Sequence, residues 1–105
     1  MTDQIRLPPT LEELRARRDE ILALARRYHA DNVRVFGSVA RGDATPDSDI
    51  DLLVTFEEGA SLYDLSGLWQ SLQALLGRGV DVVSDEGHPR HERFKRRILK
   101  EAIPL

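Results

Sequence analysis

The sequence predicts an α+β (α/β-like) fold, a small mixed β-sheet covered by helices in the order α-β-β-α-β-α. Three observations carry this. β-type runs occur at Val33–Phe36, Asp49–Phe56 and Val80–Val83. Apolar residues at helical spacing lie before, between and after them. The joins are short clusters of Gly, Ser, Asp and Pro rather than long linkers, and a compact sheet with helices packed on it is the economical arrangement.

The first nine residues read as an extended lead-in ending at Pro8-Pro9. Thr10-Leu11-Glu12-Glu13 is a capping-box pattern, with Thr10 as N-cap and Glu13 reaching back. Leu11, Leu14, Ile21, Leu22, Ala25 and Tyr28 follow at helical spacing, which predicts one helix over about 10–29. Val33-Arg34-Val35-Phe36 is a short strand stopped at Gly37. Residues 37–48 (GSVARGDATPDS) predict a turn or a broken helical turn. From Asp49 to Phe56 the pattern alternates, Ile50, Leu52 and Val54 facing one way and Asp49, Asp51 and Leu53 the other. Ser61-Leu62-Tyr63-Asp64 caps a second helix, and Leu62, Leu65, Leu68, Trp69, Leu72, Leu75 and Leu76 make its inward face. Val80-Asp81-Val82-Val83 is a third strand. His88-Pro89 opens a last helix to about 101, with Phe94, Ile98, Leu99 and Ala102 inward.

The 105 residues correspond to a single domain, 1–105, with no internal repeat. A 41% apolar and 31% charged composition is that of a globular chain, and no apolar run approaches the ~20 residues that cross a bilayer. There is no cysteine, which excludes disulfides and thiolate metal sites. No secretory signal pattern opens the chain, so a cytoplasmic protein is expected. The net charge of -3 argues against a general nucleic-acid binder, and no direct nucleic-acid binding is expected. Basic residues nevertheless crowd 15–27 and 90–100 while acids crowd 43–58; these are solvated helix faces or a surface for an acidic partner or phosphates.

The chemistry concentrates at Asp49-Ile50-Asp51. Residues i and i+2 of a strand share a face about 7 Å apart. Two carboxylates brought to ~4 Å repel by ~4 kcal/mol at an effective dielectric near 20, and a divalent cation reverses that sign. Mg²⁺ suits such a pair, because it takes one or two carboxylates and fills its shell with water and phosphate oxygens. A lone Asp-x-Asp is most simply a solvated strand edge. Here, however, Gly37-Ser38 precedes it after a strand, offering backbone N–H groups, a hydroxyl and room for a phosphate. Arg41 and Ser48 lie in the same turn, and Asp81 stands mid-strand between valines, where an acid must face solvent or a cation. Gly-Ser followed ten residues later by Asp-x-Asp arises by chance on the order of once per thousand chains of this length. There is no P-loop or G-x-G-x-x-G pattern, and neither Ser38 nor Ser48 has a histidine in a triad-like context.

Phe36-Gly37-Ser38-Val39-Ala40-Arg41-Gly42 followed by Ser48-Asp49-Ile50-Asp51-Leu52-Leu53-Val54 resembles the DNA polymerase β-like nucleotidyltransferases. Within them the chain is most similar to the minimal (MNT) group, antitoxin partners of HEPN-type toxins. The resemblance runs from about residue 33 to the end: Val80-Asp81-Val82-Val83 matches the third-acid strand, and Ile98 to Leu105 matches the usual ending. It implies the polymerase β-like fold, Gly37 and Ser38 at the nucleotide phosphates, Asp49 and Asp51 as Mg²⁺ ligands, and Asp81 as a third acid, base or shared ligand. Arg41 and Ser48 join the nucleotide-binding set, Arg41 having the alternative of pairing with Asp43 or Asp47. The implied activity is Mg²⁺-dependent transfer of AMP from ATP (or another NTP) to a protein hydroxyl, a tyrosine of a HEPN toxin. Two rivals stand beside it: an antitoxin that neutralises its partner by binding alone, and a small-molecule nucleotidyltransferase. His29, His88 and His91 lack metal-ligand spacing, Tyr63 and Trp69 read as core or partner-facing, and Arg93, Lys95, Arg96 and Arg97 form a basic helix patch.

Overall fold

The structure, a computed structural model, describes residues 6–86 and 92–105. The expected opening of the last helix at His88-Pro89, and His91, lie outside the described residues. The elements are α1 (Leu11–Ala16), α2 (Arg18–Arg27), β1 (Ala30–Phe36), α3 (Gly37–Arg41), β2 (Ile50–Phe56), α4 (Leu62–Leu76), β3 (Val80–Ser84), α5 (Glu92–Glu101) and β4 (Ile103–Pro104).

The single helix expected over 10–29 is two. Thr10 caps as expected, its hydroxyl accepting from the Glu13 N–H at 3.1 Å. The helix then breaks at Arg17 (φ −111°, ψ 21°), whose guanidinium donates to the Leu75 carbonyl near the end of α4 at 2.7 Å. Leu14 on α1 and Ile21 and Ala25 on α2 enter the same core despite the break. At α4 the Ser61 hydroxyl accepts from the Tyr63 N–H at 3.2 Å and the Asp64 carboxylate accepts from the Ser61 N–H at 2.9 Å, so the expected cap forms, and as a full capping box.

The strands make one sheet in the order β3-β2-β1-β4. β1 runs antiparallel to β2 and β4, while β2 and β3 are parallel, joined by the α4 crossover that a parallel pair requires. One face of the sheet carries Val35, Ile50, Leu52, Val54 and Val80 beneath Ile21, Ala25, Leu68 and Leu72. Each fully buried Leu or Ile there contributes about 1.5–3 kcal/mol, so this layer is the main source of stability. On the opposite face Phe36, Leu53 and Ile98 form a smaller cluster, with Val83 and Ala102 packed against it. Beyond them Arg34 donates to Asp85 at 2.9 Å and the Thr55 hydroxyl to Asp85 at 2.5 Å.

Four residues expected inward are not. Phe94 and Leu99 on α5 are 55% and 45% exposed, because only Ile98 and Ala102 meet the narrow second cluster. Leu62 is 82% exposed at the first position of α4, ahead of the sheet it was expected to cover. Trp69, 41% exposed, lies along the edge of β3, where its indole N–H donates to the Val80 carbonyl at 2.6 Å. That contact occupies an acceptor an edge strand would leave open.

Candidate active site

Register places the acids. Phe36 pairs with Asp51 across β1 and β2, and Asp51 with Asp81 across β2 and β3. Paired residues on neighbouring strands point to the same face, so Asp51 and Asp81 stand side by side on the face that α5 covers. Asp49 precedes the strand by one residue, where the Ile50 N–H is fixed by the Gly79 carbonyl at 3.0 Å.

Two glycines give the carboxylates their space. Gly37 has φ +73°, a left-handed conformation that costs an L side chain about 1–2 kcal/mol, and a Cβ there would collide with Asp51 Oδ2. A Cβ on Gly79 would collide with Asp49 Oδ1. Each carboxylate therefore lies against backbone that any other residue would push away. This is the physical content of the Gly-Ser preceding Asp-x-Asp, and Gly79 is a second such position that sequence reading passed over.

A cavity of about 380 Å³ opens beside this row, lined by Gly37, Ser38, Arg41, Asp51, Arg97 and Glu101 among others. The Gly37 N–H, expected to be free for a ligand, instead donates to Glu101 Oε1 at 2.8 Å. Arg41 donates to the same oxygen from Nη1 at 2.8 Å, and from Nε to Asp43 at 3.3 Å, so the Asp43 pairing considered from sequence does form. Ser48 closes its own turn, its hydroxyl accepting from the Thr45 N–H at 2.8 Å, and it does not line the cavity. A second cavity of about 400 Å³ lies at the β3 edge, lined by Leu62, Leu65, Ser66, Trp69, Asp81 and Val82. Asp81 is exposed and faces it. His29 is bonded to Asp64 at 3.0 Å, away from the acids' role.

The Asp51 carboxyl is pushed up to about 6. Burial is the largest cause, followed by the charges of Asp81 and Asp49, with Arg41 pulling the other way. Burial and the two neighbouring carboxylates both disfavour the charged form here, and Arg41 offsets only part of that. Among the described residues no three acidic or histidine side chains converge into a ready-made metal cage. Mg²⁺ does not need one, since it completes a pair of carboxylates with water and phosphate. The oxygen-only donors, the crowding and the adjacent anion-binding N–H and guanidinium fit Mg²⁺ carried with a nucleotide.

Glu101 and Arg97 are the members of the site that sequence reasoning missed. Neither belongs to a local motif: Glu101 reaches Gly37 across 64 residues, and the hints were the basic patch at 90–100 for Arg97 and, for Glu101, the likeness of the segment from Ile98 to Leu105 to a family ending.

Residues 17–105 match the family model described as nucleotidyltransferase domain. A Methanocaldococcus jannaschii protein named as a protein adenylyltransferase is 39% identical over 86 residues, spanning 82% of this chain and 90% of that one. A solved structure described as a minimal nucleotidyltransferase shares 53% identity with a TM-score of 0.79, covering 92% of this chain and 97% of the other. A tri-AMPylated Shewanella oneidensis HEPN toxin in complex with MNT antitoxin superposes at TM-score 0.63 and 18% identity, over 86% of this chain and 69% of that one, a likeness of fold. With the acid row, the glycine-spaced carboxylates and the sheet order on which these matches fall, the chain belongs to the nucleotidyltransferase domain family.

Proposed function

We propose that the chain transfers AMP from ATP, with Mg²⁺, to a tyrosine hydroxyl of a HEPN-type partner toxin and thereby acts as its antitoxin. The observation that carries this reading is the juxtaposition of an anion-binding corner (Gly37 N–H, Ser38, Arg41) with the Asp49, Asp51 and Asp81 row. Its support from outside the chain is the adenylyltransferase name of the Methanocaldococcus relative and the AMPylated toxin in the structurally similar Shewanella complex.

Transfer of this kind needs positioning and charge neutralisation more than covalent help. In this reading Gly37, Ser38 and Arg41 hold the triphosphate, while Asp49 and Asp51 hold Mg²⁺. When bound, the metal would supply charge neutralisation for the transferred phosphoryl group. The acceptor oxygen attacks the α-phosphorus, the bond to pyrophosphate breaks, and Asp81 takes the hydroxyl proton. Asp81 suits this role because it is exposed beside the second cavity, whose Leu62 and Trp69 offer apolar surface to an incoming protein. Labelled ATP, Mg²⁺ and the partner toxin test the proposal: label should pass to the toxin with the intact chain and fail with Asp49→Asn or Asp51→Asn. Absence of transfer by the intact chain would reject it.

A further inference from the structure

We infer that Glu101 is a built-in competitor for the nucleotide phosphates, occupying their donors until a polyphosphate displaces it; this rests on the nucleotidyltransferase reading above. A single oxygen, Glu101 Oε1, accepts from both the Gly37 N–H and Arg41 Nη1, each at 2.8 Å. Two donors converging on one anionic oxygen is what a phosphate oxygen would meet, and charge-assisted bonds of this length are the strong ones. The carboxylate is mostly enclosed, its side chain 22% exposed, beside the cavity that Ser38 and Asp51 also line. It therefore sets a second carboxylate beside Asp51 in that cavity, just where phosphates would arrive.

Its attachment allows release. Glu101 ends α5, and that helix meets the sheet through Ile98, with Ala102 following it, while Phe94 and Leu99 stay outside. Arg97, one turn earlier on the same helix, lines the same cavity and is at the i,i+4 spacing where opposite charges meet. A displaced Glu101 thus has a cation on its own helix. A ligand must outcompete a carboxylate for two donors, which favours di- and triphosphates over weaker anions.

The test is titration calorimetry of Mg²⁺–ATP, and of tripolyphosphate, into the intact chain and into Glu101→Gln, whose amide keeps the shape without the charge. Both ligands should bind the variant roughly 3- to 30-fold more tightly, because a neutral amide oxygen gives up the two donors at less cost than a carboxylate and no longer repels the phosphates. Equal or weaker binding in a folded variant overturns the inference and leaves the function reading standing. No ATP binding by either protein overturns both. Independently of the variant's stability, the Glu101 side-chain carboxyl ¹³C resonance and the Gly37 amide of the intact chain should shift together as ATP is added. A carboxyl resonance that stays put while ATP binds overturns the inference.

Discussion

Replacing Asp51 by asparagine should abolish transfer and stabilise the fold. Asp51 carries a carboxyl raised from 3.8 to about 6, so the folded chain holds its proton more tightly than the unfolded one. Below the unfolded value both states are protonated and the difference vanishes. Stability is then lost as pH rises through the folded value, and at neutral pH the whole penalty is present. A rise of about two units corresponds to a ceiling of about 3 kcal/mol, and solvent screening at a half-open site brings it to about 1–2 kcal/mol. Asparagine removes the charge at nearly the same volume. In metal-free buffer at pH 7.5 the variant should melt about 4–16 °C above the intact chain, because 1 kcal/mol moves a domain of this size by roughly 4–8 °C. The gap should close towards pH 3.5. Millimolar Mg²⁺–ATP should raise the melting temperature of the intact chain only, since binding to the native state stabilises it. A variant that melts lower at pH 7.5, or a gap that does not change with pH, would refute the reasoning that a half-buried charge beside other carboxylates strains this site.

The two glycines should separate by phenotype. Gly37→Ala combines a left-handed φ with a collision against Asp51, so it should lose stability by about 1–3 kcal/mol and transfer by about 100-fold, read by melting and rate. Gly79→Ala meets only the Asp49 carboxylate and should instead raise the Mg²⁺ concentration needed for half-maximal rate, with a smaller change in melting. His29 is raised above its usual value, first by its hydrogen bond to Asp64 and then by that residue's charge. The pair's stabilisation is therefore present below about pH 6.5 and fades as pH rises through the His29 value; His29→Asn should melt below the intact chain at pH 5.5 and match it at pH 8.5. Leu68, fully buried between α4 and the sheet, should lose about 2–5 kcal/mol on conversion to alanine, measured by denaturant unfolding.

Sequence reading succeeded where the signal is local. Alternation located β2 to within one residue, and the valine run located β3, because a strand buried on one or both faces writes its register into side-chain type. Gly37-Ser38, Asp49 and Asp51 stood out for the same reason, lying in one turn and the strand that follows it, and Asp81 stood out as an acid within the valine run of β3. What escaped depends on distant partners. The break at Arg17 is stabilised by a carbonyl 58 residues away, while the apolar stripe continues across it. Trp69 keeps helical spacing yet turns out to cover a strand edge. β4 is two residues, one of them a proline, which can join a sheet only at an edge, so no propensity marked it. Glu101 is one of many helix acids until the fold sets it against Gly37.

The transfer reading turns on one measurement: intact-mass spectrometry of the partner toxin after incubation with this chain, ATP and Mg²⁺. The expected result is a toxin heavier by one or more AMP units, located by fragmentation on a tyrosine, and unmodified toxin when Asp49→Asn or Asp51→Asn replaces the intact chain. Unmodified toxin with the intact chain, or equal modification by the Asp51→Asn variant, would contradict it.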